Sequence, residues 1–244
     1  KEANPVMELI EGEGAVNDYS AMSPAEAFDA MFAKVSVEYP FTADKNIDWQ
    51  ALYDKHAPAV GAASNENQMY RALHDFALDI PDSHVGLSFN AQVYYEEKGG
   101  SFGMVLAELV DDRVIVSMVL PGYAASAAGI ETGAEIITWD GQPVQDALDA
   151  VVPSLGPYST DHSERQGQLL SLTRMPVGEK VEITFKNPGG VEEEVTLLAD
   201  VEYDSLFEAL GYNDQDLMEL PIEAEVLDSG VGYIRINTFS DDYN

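Results

Sequence analysis

Three blocks in a fixed order constrain this chain most: Ser101-Phe102-Gly103-Met104-Val105, then Pro121 to Ile130, then Ile136 to Val144. Gly103 lets the backbone pass close to a neighbour, so successive N–H groups can point into one small space. Such a nest suits the terminal carboxylate of a peptide. Phe102 and Met104 flank the glycine as lining for a ligand's last side chain, and the strand from Val105 to Leu109 offers an edge to an added peptide strand. In the second block Pro121-Gly122 signals a turn, and the small residues Ala124 to Ala128 suit a tight helical turn ended by Gly129. In the third, Ile136 to Trp139 is a short apolar run and Asp140-Gly141 a two-residue hairpin turn. The first block alone would be a turn feeding a strand. The ordered trio describes a module that takes a chain end as its ligand.

In that order the blocks resemble a PDZ domain. Helices are expected near Asp146–Val152 and Ser163–Leu172, the second bringing Leu169 and Leu170 to the far wall of a peptide groove. The peptide-binding set is then Phe102, Gly103, Met104, Val105, Leu169 and Leu170. Lys180–Lys186 and Val191–Leu198, joined by Asn187-Pro188-Gly189-Gly190, read as a closing hairpin, which ends the module near Ala199.

Upstream, the chain to about Ile80 carries helical signals. Ser23-Pro24-Ala25-Glu26 is a capping box with proline at the first helical position, followed by Phe28, Met31, Phe32 and Val35 at helical spacing. Asp48 caps a second helix with Trp49, Leu52 and Tyr53. A third, from about Asn65, places Met69, Leu73, Phe76 and Ile80 on one face. These faces predict a small bundle. Beyond Pro81, Val85, Leu87 and Phe89 alternate with Gly86, Ser88 and Asn90 as in a half-buried strand.

Charge narrows the partners. Forty-four acidic residues against twelve basic give a net charge of −32, which repels phosphate backbones and anionic lipid, so nucleic acid is not expected as a partner. The acids are scattered, and pairs such as Asp111-Asp112 lack the spacing of a calcium loop, so no metal or other cofactor is implied. No apolar run approaches the roughly 20 residues that a membrane-crossing helix requires. With no cysteine, disulfides and thiolate chemistry are excluded.

No self-sufficient active site stands in the sequence: G-x-S-x-G, S-x-x-K and H-E-x-x-H are all missing. Of the four histidines, His84 is distinctive. It sits in Asp82-Ser83-His84 at a junction between helical and extended chain, where a side chain can be held yet stay accessible. A histidine satisfying turn backbone groups is the alternative.

The order of elements is similar to the tail-specific, or C-terminal processing, serine peptidases, including the tricorn-core type. The resemblance rests on Asp82-Ser83-His84, on Phe102-Gly103-Met104, and on Gly232-Tyr233-Ile234-Arg235-Ile236 followed by Phe239. It implies that His84 is the general base for a serine further downstream, with Ser83 as an auxiliary group of the same pair. In the lysine-dependent branch of the family this histidine need not be catalytic. The family's nucleophile and oxyanion hole would follow the last strand, so this chain alone is not expected to hydrolyse peptides. Protein or peptide C-termini are the implied partners, and the implied location is exported, in the bacterial periplasm or cell envelope.

The expected fold is thus α+β: a helical region over residues 1–98 ending at the D-x-H region, a PDZ-like β-barrel or sandwich with two helices over 99–199, and over 200–244 a connector leading to the first strand of an α/β catalytic domain. The competing reading is a non-catalytic PDZ-type scaffold, whose groove is itself the function.

Overall fold

The computed structural model describes residues 17–211 and 222–236. It divides into two compact units, up to Leu87 and from Ser88 onwards.

The first unit holds the three expected helices, α1 (Pro24–Glu38), α2 (Trp49–Gly61) and α3 (Glu66–Leu78). Each starts where its cap residue predicts. The Ser23 hydroxyl and the Glu26 carboxylate exchange bonds with each other's backbone amides, Asp48 Oδ1 accepts the Ala51 N–H at 3.0 Å, and Asn65 Oδ1 that of Gln68 at 2.9 Å. Phe28, Val60, Phe76 and Ile80 form the core. Aromatic edges pack it further: Phe28 meets Phe76 at 5.4 Å and Phe32 meets Tyr53 at 5.0 Å, both T-shaped.

The expected strand at Val85–Phe89 is not formed. Residues 85–90 belong to no regular element, and Leu87 and Phe89 are exposed. Period two marks a strand only where a partner takes its hydrogen bonds, and none pairs here. The second unit opens instead on a helix that periodicity did not reveal, α4 (Ala91–Lys98), capped by Asn90 Oδ1 at 3.1 Å from both the Gln92 and Val93 amides.

After α4 come β1 (Gly100–Ser101), β2 (Met104–Glu108), β3 (Val114–Val119), α5 (Ala124–Ala127), β4 (Glu135–Trp139), β5 (Gln142–Pro143), α6 (Val144–Ala150), α7 (Asp161–Leu172), β6 (Lys180–Lys186) and β7 (Glu192–Leu198). One antiparallel sheet runs β2-β3-β4-β6-β7, with β5 folded back on β4. Asp140 and Gly141 both have positive φ, 48° and 73°, as a type I′ turn requires. Phe102, Met104, Val116, Ile136, Leu148, Leu169, Ile183 and Phe185 fill the core between sheet and helices.

The segment after Ala199, expected as a connector or a surface-hugging segment, is structured where it is described. It contains β8 (Asp200–Val201), paired with β1, then α8 (Asp204–Ala209) and β9 (Ile222–Val226). The strand read at Gly232–Ile236 is β10, and it has a partner: β9, from Gly232 opposite Val226 to Ile236 opposite Ile222. Ile222-Glu223-Ala224-Glu225-Val226 alternates as a strand does, and Gly230, at φ +80°, turns the chain between them. Phe239 lies outside the described residues.

Candidate peptide groove and histidine site

The groove lies between β2 and α7. Among the described residues β2 pairs with β3 on one edge and its other edge is open, with α7 packed alongside it. A pocket of about 450 Å³ occupies this space, lined by Met104, Val105 and Leu106 from β2 and by Gln166, Leu169 and Leu170 from α7. That volume falls in the range of ligand sites, roughly 300–1,000 Å³. At one end Arg165 on α7 approaches Glu108 on β2 at 3.4 Å, tying wall to wall. Tyr158 lies against α7 at Gly167, where an added Cβ would stand 2.2 Å from its hydroxyl. Burial pushes that phenol up to about 12, so it is a neutral donor at physiological pH.

At the head of β2 the Gly103 loop is set by φ +71°. Its close approach is to the protein itself: a Cβ on Gly103 would lie 2.3 Å from Tyr123 Cβ. The carbonyls of Phe102 and Gly103 are both used, accepting from the Ala125 amide at 3.0 Å and the Leu120 amide at 2.8 Å. Among the described residues, no protein acceptor takes the amides of Phe102 and Gly103. Both residues are buried, and neither lines the pocket.

Of the six groove residues read from sequence, Met104, Val105, Leu169 and Leu170 line the pocket. Phe102 and Gly103 do not: Phe102 is fully buried, its ring packed against Trp139 at 6.0 Å, and Gly103 is buried against Tyr123. Sequence reasoning missed Thr173 and, from α8, Ser205, Ala209 and Leu210, which line the same pocket. The available signal was Asp204-Ser205-Leu206-Phe207, an acid opening a short apolar run, in the segment read as connector.

In the first unit, His84 and Ser83 sit exposed in one turn after Pro81. Asp82 is buried, and its Oδ1 accepts from the His84 backbone N–H at 3.0 Å and contacts His84 Nδ1 at 2.9 Å. An ionised carboxylate can only accept, so Nδ1 carries a proton toward Asp82 and, in the neutral ring, Nε2 is the acceptor. The other oxygen, Oδ2, accepts from the Tyr39 hydroxyl at 2.5 Å. Hydrogen bonds from Tyr39 and then from His84 hold Asp82 well below the usual carboxylate range, while burial and the same bond push Tyr39 up to about 12. A histidine oriented by a buried acid, with its far nitrogen exposed, has the form of a general base. The sequence contained Asp82, but Tyr39, more than forty positions earlier, carried no signal.

Residues 92–153 match the PDZ domain family. The sheet and helices of the second unit are PDZ-like. Residues 21–77, within the helical unit, match the tricorn protease C1 domain. Among solved structures, a mutant of CPAF is similar at a TM-score of 0.59 and 12% identity, over 87% of this chain and 47% of that one. Mature CPAF complexed with lactacystin is similar at 0.55 and 16%, over 72% and 34%. The photosystem II D1 C-terminal processing protease matches at 0.33 and 16%, over 91% and 54%. The likeness to CPAF is one of fold, and this chain spans less than half the length of those CPAF chains. No curated protein sequence matches.

Proposed function

We propose that this chain is the substrate-recruiting portion of a serine endopeptidase of the C-terminal processing type. The PDZ groove captures a free protein C-terminus as a strand added to β2, its carboxylate on the Phe102 and Gly103 amides. His84, oriented by Asp82, is the base that takes the proton of a serine hydroxyl as that oxygen attacks a peptide carbonyl; Ser83 is its auxiliary neighbour. The serine and its oxyanion hole are assigned to a catalytic domain following the PDZ domain, and export to the bacterial cell envelope goes with this reading.

The observation that carries it is the edge of β2 left unpaired among the described residues, beside a groove of ligand size. Added-strand recognition uses this combination, main-chain bonds for affinity and a side-chain pocket for selectivity. The match to the tricorn protease C1 domain supports the peptidase assignment.

Fluorescence anisotropy with one apolar-ended peptide, as free acid and as C-terminal amide, tests the groove. The free acid should bind at least about tenfold more tightly, a difference of about 1.4 kcal/mol. Equal affinities would remove the chain-end reading.

A further inference from the structure

Helix α8 follows the PDZ domain in sequence, yet it borders the groove. Ser205, Ala209 and Leu210 line the same pocket as β2 and α7, and α8 packs directly on β2. Two separate attachments hold it there. Asp204 Oδ2 accepts from the Tyr123 hydroxyl at 3.1 Å, fixing α8 to the residue that covers Gly103. Behind it, the fully buried Arg174, just past the end of α7, donates to the Glu202 carbonyl at 2.6 Å and to Ser205 Oγ at 2.9 Å. The Glu202 carboxylate in turn accepts from the Ser205 amide at 2.6 Å and the Ser205 hydroxyl at 2.5 Å. Leu206 is buried beneath.

A segment tied to both lips of the groove, with the pocket still open beside it, is a wall rather than a plug. Its place is the amide end of the groove, because Tyr123 and Arg174 stand next to the Gly103 loop and the end of α7. That is where the last side chain of a captured peptide must sit. We propose that α8 completes the chamber for that side chain, with Ala209 and Leu210 lining the same pocket as Met104 and Leu170, and that it selects peptides ending in a branched or long aliphatic residue over those ending in alanine. This rests on the groove reading above. The physical basis is that each methylene lodged in an apolar chamber adds up to about 1 kcal/mol of discrimination, whereas alanine does not reach the added wall.

Leu210 is about half exposed, so changing it leaves the core intact. Anisotropy with two otherwise identical free-acid peptides, ending in Leu or Ala, should give the wild-type chain about tenfold preference for Leu. Leu210→Asp should lower affinity for the Leu-ended peptide about tenfold, leave the Ala-ended one within about twofold, and keep the preference for free acid over amide. Leu210→Ala should move the same way by about threefold, which keeps the test valid if the aspartate variant loses its helical circular dichroism. Equal effects on both peptides, or none, would overturn the wall while leaving the groove reading in place. A gain in affinity for both would make α8 a plug and overturn it too. Failure of the wild-type chain to distinguish free acid from amide would overturn the groove reading itself, and the wall with it.

Discussion

At Gly103 two constraints coincide. The backbone is left-handed at φ +71°, and the space a Cβ would need belongs to Tyr123. Gly103→Ala should therefore destabilise the second unit by about 2 kcal/mol, read as a lower urea midpoint, before any effect on peptide binding. An unchanged midpoint would show that Tyr123 moves aside freely. At Asp82 the constraint is chemical. Long-range ¹⁵N–¹H correlation spectra should place the His84 proton on Nδ1 in the wild-type chain, and Asp82→Ala should abolish that preference; the same tautomer in both would remove Asp82 as the orienting group. Acid sensitivity has its own sign. Asp79 is lowered as well: burial opposes its ionisation, but hydrogen bonds from Lys55 and His56 outweigh it. Carboxylates depressed on folding add stability that is complete above the unfolded value near 3.9 and is lost as pH falls through the lower folded values. Stability of the helical unit should thus hold from about pH 7 to 5 and decline below about 4. Asp79→Asn should flatten that decline in a pH series of urea melts.

At the level of elements, the attachment of α8 is the most exposed to disruption. Arg174 and Glu202 have no solvent-accessible side-chain surface, and among the described residues Arg174 Nε has no hydrogen-bond partner. Burial lowers the affinity of the guanidinium for its proton, and the negative charge of Glu202 helps to restore it. Removing one member of a buried ion pair leaves the other charge uncompensated, at a cost of about 3–5 kcal/mol. Glu202→Ala should therefore lower the denaturation midpoint by that order and expose the α8 amides to fast hydrogen exchange. Retained protection would mean that Leu206 alone anchors the helix. Elements with local signals were legible from sequence: the capped helices α1 to α3, the Asp140-Gly141 turn and the β6–β7 hairpin all lie where their residues predict. Among the missed elements, α4, α8 and β9 are short; α8 is held by residues distant in sequence and β9 by a partner strand.

For the whole molecule the dominant quantity is the net charge of −32. Like charges this dense repel in the compact state more than in the expanded one, and salt screens them over about 10 Å at 0.1 M. Raising sodium chloride from about 10 to 200 mM should raise the thermal midpoint; a fall would mean that the few ion pairs outweigh the net repulsion. The local chemistry of the chain determined the helix starts, the tight turns and the order of blocks that marks a PDZ domain, because caps, turns and periodicity act within a few residues of one another. Tertiary structure decided which residues face the groove. Phe102 turns into the core, Tyr39 reaches Asp82 across more than forty positions, and α8 returns to border a pocket built by β2 and α7. None of these is local: each depends on which surfaces are left to bury once the sheet and helices have packed, and that is a property of the folded chain.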